Sequence, residues 1–136
     1  METHLLFKEE SYKIIGACFE VNKTMGCGFL EAVYQECVSM EFTSQGIPFI
    51  AQPSLQLSFK GHPLKQTYEP DFLCFNEIIL ELKATKNLID DFRAQTVNHL
   101  KTTKKQLALL VNFGHYPNLE YERFVNDPLS RPSRIS

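Results

Sequence analysis

Asp71 follows Pro70, and after nine intervening residues come Glu81, Leu82 and Lys83. On a strand the side chains alternate, so Glu81 and Lys83 project from one face while Leu82 packs on the other. A hairpin turning at Asn76-Glu77 brings Asp71 beside Glu81. Two neighbouring carboxylates repel unless a cation bridges them or they share a proton. Hard oxygen ligands of this kind suit Mg2+ or Mn2+, with water completing the shell. A lysine within reach of that water could orient it, help deprotonate it, or offset charge on a phosphate. The competing reading is a strand with Glu and Lys on a solvated face and an Asp in a turn. Against it, Ile78 to Ala84 is, apart from Glu81 and Lys83, the most hydrophobic part of the chain and reads as a central strand. Charged groups are rare there without a partner or a task.

Two further polar residues stand near this set in sequence logic. Glu31, in Gly28-Phe29-Leu30-Glu31-Ala32-Val33-Tyr34, falls in the first turn of a helix with Tyr34 three residues on. It could be a third ligand, a partner for Lys83, or a residue that compensates the helix dipole. Gln95, on the helix after the motif strand, could meet a phosphate or a metal-bound water, or face solvent. Net charge is only −2, but residues 83–105 carry +4 directly after the carboxylate-rich stretch. Lys86, Lys101, Lys104 and Lys105 in that segment would suit a phosphate backbone beside a metal; a solvated helix face is the alternative.

These residues need a scaffold, and the hydropathy pattern supplies one. Residues 8–24 place Ile14, Ile15, Cys18 and Phe19 at helical intervals. A second helix runs from about Phe29 to Ser44, with Val33, Cys37 and Met40 inward and Gly46 as its stop. Leu55, Leu57 and Phe59 then alternate with polar residues, and Lys60 to Pro63 turns the chain back along Leu64–Tyr68. Phe72–Phe75 and Ile78–Leu82 form the motif hairpin, buried on both faces. Helical spacing returns over 87–103, a buried strand follows over 106–113, and a last short strand covers 121–125. The order helix, helix, strands, helix, strand implies an α/β fold, a mixed β-sheet flanked by helices.

At 136 residues, 43% apolar and 22% charged, the chain can bury one core without disulfides or a structural metal. One domain over 1–126 is expected, with a mobile Pro/Ser/Arg-rich tail over 127–136. Cys18, Cys27, Cys37 and Cys74 form no C-x-x-C pair and no zinc spacing, which points to reduced, mostly buried thiols. The N-terminus lacks the basic start and apolar run of a secretory signal, and no segment has the roughly 20 apolar residues of a membrane span. A cytoplasmic protein, away from membranes, is expected.

Taken together, Gly28 to Glu36, Asp71-Phe72-Leu73, Ile78 to Ala84, Ala94 to Lys101 and Leu110-Val111-Asn112-Phe113-Gly114 resemble the bacterial and archaeal GxxExxY proteins. The resemblance runs from about Ile14 to Val125, with its motifs in the expected order. That family is similar to the PD-(D/E)XK nuclease superfamily, so the resemblance implies a restriction-endonuclease-like core. It further implies Asp71 and Glu81 as metal ligands, Lys83 as catalytic lysine, Glu31 as the helical acidic residue, and the Leu82 carbonyl facing a Mg2+ or Mn2+ ion. Gln95 matches the first residue of a Gln-x-x-x-Tyr element, but His99 stands where tyrosine is usual. A His there could stack or bond to phosphate, and it titrates near neutral pH. The expected activity is metal-dependent hydrolysis of DNA. A non-catalytic nuclease-fold module that binds nucleic acid or a protein partner is the alternative, and small nucleases of this fold often pair as homodimers. A generic interaction domain unrelated to nucleic acid is a third reading.

Overall fold

Glycines end both N-terminal helices. The computed structural model describes residues 6–126, and the tail expected to be mobile at 127–136 lies outside the described residues. Helix α1 (Lys8–Met25) starts with Glu9 and Glu10 in its first turn, where the helix dipole favours acids, and ends at Gly26 with φ 72°. Helix α2 (Glu31–Gln45) ends at Gly46 with φ 73°. There the Ile47 N–H reaches back to the Phe42 carbonyl at 2.9 Å, a Schellman closure. The strands are β1 (Phe49–Ala51), β2 (Leu55–Phe59), β3 (His62–Tyr68), β4 (Phe72–Cys74) and β5 (Ile78–Lys83), followed by helix α3 (Asp90–Thr103), β6 (Leu107–Asn112) and β7 (Glu120–Val125). No helix among the described residues is long and apolar enough to cross a membrane.

Five strands form one mixed sheet in the order β1-β4-β5-β6-β7, and β2 and β3 form a separate two-stranded sheet. The motif strand β5 is central, antiparallel to β4 and parallel to β6. One sheet face, carrying Ile78, Leu80, Leu82, Leu107 and Leu109, packs on Ile14, Cys18, Tyr34, Val38 and Phe42 of α1 and α2. The other carries Leu73, Ile79 and Ala108 and is covered by Leu100 of α3 with Leu55, Leu57 and Tyr68 of the hairpin. Every residue of β6 is buried, as are the four apolar residues of β5, while Glu81 and Lys83 are half-buried. Burial of each such Leu or Ile stabilises the fold by roughly 1.5–3 kcal/mol.

The helix faces differ in phase from the periodicity reading. In α2 the buried residues are Tyr34, Val38 and Phe42, one position on from the expected Val33 and Cys37 and two on from the expected Met40, which is exposed. Large aromatic partners set this phase: Tyr34 stacks on Phe113 at 4.5 Å, and Phe42 packs on Phe49 and Phe72. The Tyr34 hydroxyl also donates to the Gly26 carbonyl at 2.6 Å and accepts the Phe29 N–H at 3.2 Å, so it pins the loop between the helices. In α1, Phe19 is exposed and Ala17 and Val21 are buried beside Ile14 and Cys18. Cys18 and Cys74 are buried, Cys37 is half-buried and Cys27 is exposed; all four are free. Burial raises the Cys18 thiol far above its ordinary range and pushes Cys74 up to about 12, so both behave as small apolar side chains.

Candidate active site

The β4–β5 hairpin turns through Phe75 and Asn76, both with positive φ, and the Glu77 N–H closes it on the Cys74 carbonyl at 3.1 Å. Pairing runs Cys74 with Ile78, Leu73 with Ile79, and Phe72 with Leu80. One step further, where the ladder ends, Asp71 stands across from Glu81. The Asp71 carboxylate closes that end: one oxygen accepts the Leu82 N–H at 2.7 Å, and the other accepts Gln35 Nε2 at 3.0 Å. In a strand the N–H and C=O of one residue point to the same edge, so the Leu82 carbonyl is turned to the Asp71 side as well. Lys83 shares the Glu81 face, and its Nζ lies 4.6 Å from the ring centre of Phe92 on α3.

Burial raises both acids. Asp71 is held above its ordinary value by desolvation, against the Leu82 N–H that lowers it, with Glu31 raising it and Lys83 lowering it. Desolvation pushes Glu81 up to about 7; Lys83 and the Asp71 backbone N–H pull it down, and Glu31 pushes it up. A group raised from 4.5 to about 7 binds more protons folded than unfolded within that window. Its contribution to stability is therefore intact below 4.5 and is lost as pH rises towards 7. Without divalent metal, Glu81→Gln should accordingly raise the thermal midpoint at pH 8, and the gain should vanish by pH 4.5. A midpoint unchanged at pH 8 would mean that Glu81 is not held under desolvation strain.

The remaining expected residues are distributed unevenly. Glu31 is the first residue of α2, exposed, and close enough to influence both acids. Gln35, one turn further along α2, bonds Asp71 directly; sequence reasoning passed over it, although its i+4 spacing from Glu31 was a usable signal. Gln95 is exposed on the stripe of α3 that also carries Phe92 and His99. His99 stacks on Tyr68 at 3.7 Å, and its pKa is lowered by burial and by the charge of Lys83. Lys86 is exposed just past the carboxylate end of β5. Lys101, Lys104 and Lys105 lie at the other end: α3 runs back along the sheet, and Lys105 Nζ reaches the Asn76 carbonyl in the β4–β5 turn. The length of β5, about 17 Å at roughly 3.3 Å per residue, separates that turn from Lys83. Among the described residues, no three His, Cys, Asp or Glu side chains gather into a complete metal cage. The oxygen donors in place are two carboxylates and a backbone carbonyl, the sparse set with which Mg2+ keeps several waters and takes substrate phosphate.

Behind the site, Asn112 is fully buried opposite Lys83 in register. Its side-chain oxygen accepts the N–H groups of Thr85 and Gly114, and its amide donates to Glu120. Glu120 in turn accepts the Leu88 N–H, so one buried amide fixes the segment that leads from Lys83 to α3.

A mixed sheet with two helices on one face, a third on the other, and Asp71, Glu81 and Lys83 at the end of the central hairpin defines a restriction-endonuclease-like fold. Residues 8–124 match the PD-(D/E)XK nuclease superfamily, and the chain belongs to it. No curated protein matches the sequence. Among solved structures, one titled "Crystal structure of SSO0001" superposes with a TM-score of 0.55 at 10% identity, over 88% of this chain. This chain spans 59% of that protein's length, and the likeness concerns the fold alone.

Proposed function

We propose that this chain is a metal-dependent nuclease that hydrolyses phosphodiester bonds in DNA, in the manner of the GxxExxY proteins it resembles. The observation that carries the reading is the meeting of Asp71, Glu81 and Lys83 at the open end of the β4–β5 ladder, with both acids raised by burial. Asp71, Glu81 and the Leu82 carbonyl would hold Mg2+ or Mn2+, with Glu31 within electrostatic reach. Such an ion supplies Lewis-acid polarisation of the phosphate and an acidified water. Gln35 and the Leu82 N–H hold the Asp71 carboxylate in one orientation. Lys83 orients the attacking water and offsets negative charge on the phosphate. Gln95 reaches outward from α3 towards the same substrate. Lys86 contacts the backbone next to the scissile bond. Lys101, Lys104 and Lys105 contact it about five nucleotides away, at roughly 3.4 Å per nucleotide. These cations position DNA without reading its sequence.

A second reading, a nuclease-fold module that binds nucleic acid or a protein partner without cutting, is favoured by one observation: Glu31 is exposed and no three-carboxylate cage is assembled among the described residues. Calorimetry separates the two. Mg2+ or Mn2+ should bind the wild type, alone or with a short DNA duplex, and binding should vanish in Asp71→Ala/Glu81→Ala. DNA affinity that is insensitive to EDTA, with no metal uptake even beside DNA, selects the module.

A further inference from the structure

Between Glu41 and Glu69 the chain carries no Asp or Glu, although its net charge is −2. The β2–β3 hairpin lies within that stretch, with Lys60, His62 and Lys65 all exposed. Among the described residues no carboxylate pairs with either lysine, whereas Arg93 is paired with both Asp90 and Glu122. Lys60 Nζ lies instead 5.3 Å from the ring centre of Phe59. The hairpin covers the sheet face that carries Ile79, and by strand alternation Glu81 and Lys83 project from that same face.

Only the base of the hairpin is supported. Leu55, Leu57 and Tyr68 pack against the sheet and α3, whereas Phe59, next on the same face of β2, is 61% exposed. The ladder runs on to Phe59 and His62, so the ribbon past Leu57 is paired yet free-standing. From Leu57 to Lys60 it overhangs by about 10 Å. On the face turned away from the sheet, Gln56 stands across from Thr67 and Ser58 across from Pro63, with Lys65 exposed between Pro63 and Thr67. Gln, Ser, Thr and Lys are side chains that bond base edges, and Phe suits a thymine methyl. We infer that the β2–β3 ribbon enters the major groove of duplex DNA and holds the duplex over the carboxylate–lysine set. Two strands about 4.8 Å apart, with their side chains, match a groove about 12 Å wide, and the overhang matches its depth of about 8.5 Å. The minor groove, about 6 Å wide, does not admit them. A polyanion supplies the charge that an acid-free ribbon lacks. The inference rests on the nuclease reading only in taking DNA as the substrate, and it narrows that substrate to the duplex form.

Fluorescence anisotropy on the full chain in EDTA, with a short DNA duplex and salt varied over about 50–200 mM, tests it. Lys60→Asn/Lys65→Thr removes both charges, places a residue that tolerates positive φ at position 60 and keeps a strand former at 65. It should flatten the slope of log affinity against log salt by about 1.8, two contacts at about 0.9 each, and weaken binding at least about tenfold at about 0.15 M salt. Lys13→Gln/Lys23→Gln, exposed on α1 behind the opposite sheet face, should leave slope and affinity as they are. A duplex carrying glucosylated 5-hydroxymethylcytosine, whose sugars fill the major groove, should bind at least about tenfold more weakly than the plain one. So should an RNA duplex, whose major groove is too narrow to enter. No duplex binding by the wild type overturns the inference. So does a slope in Lys60→Asn/Lys65→Thr within about 0.5 of wild type, or equal affinity for the glucosylated or RNA duplex. A chain that binds in the expected way and cuts nothing supports the ribbon and overturns the nuclease reading. One that cuts DNA while the double variant binds as the wild type does overturns the ribbon alone.

Discussion

A Lys83→Met chain should take up divalent metal and DNA as the wild type does, and cleave about a thousandfold more slowly. Methionine keeps the unbranched stem that lies against Phe92 and removes only the ammonium. That charge lowers both Asp71 and Glu81, so its loss shifts both acids further upward. The comparison therefore belongs at about pH 9, where Glu81 is ionised in either chain and a slower rate reports lost chemistry. Asp71→Ala should be equally inactive for a different reason: the metal is no longer held, and the Leu82 N–H loses its acceptor. A Lys83→Met enzyme retaining a tenth of the wild-type rate would remove the lysine from the mechanism. A wild type that binds DNA and metal yet cuts nothing would return the chain to the module reading.

Gly114→Ala should destabilise the fold by roughly 3 kcal/mol or more, a fall of about 10 °C in thermal midpoint for a chain of this size. A Cβ at position 114 would stand 2.3 Å from the Thr85 carbonyl oxygen and 2.5 Å from its nitrogen. Those atoms are backbone, so no rotamer change relieves the contact. The same crossing carries the Phe113 N–H bond to the Lys83 carbonyl at 2.7 Å and the Gly114 N–H bond to Asn112. Displacing it would also shift Lys83, so residual activity should fall even in the folded fraction. Urea unfolding within about 0.5 kcal/mol of wild type would show that the two segments separate freely.

The motif hairpin was legible because its signals are local: strict alternation over Leu80 to Lys83, apolar runs on both sides, and a polar pair at the turn. Gly46 was legible for the same reason. Gly114 read as a strand terminator, and its actual task, close passage over Thr85, involves a segment 29 residues away that composition does not reveal. Strand β1 was missed: Phe49-Ile50-Ala51, three residues between Pro48 and Pro53, is too short to carry a period and is a strand because β4 pairs with it. The phase of α2 was set by Phe113 and Phe72, both distant in sequence, together with Phe49 of the unforeseen strand β1. The charge count over 83–105 was correct, but α3 carries half of it to the far end of the sheet, and only topology says so.

The β2–β3 sheet shares no ladder with the main sheet and rests on it through Leu55, Leu57 and Tyr68. Its tip, Lys60-Gly61, has positive φ at both residues, and His62 to Thr67 are exposed. Extra residues in such a surface loop cost only logarithmically in closure entropy. Asp71, Glu81 and Lys83 fall within thirteen consecutive positions, 71–83, none of them in this hairpin. If the chain is the nuclease proposed, a lineage can therefore graft target-reading sequence onto the tip of β2–β3 while the β4–β5 hairpin is inherited intact, which makes specificity and chemistry separately evolvable.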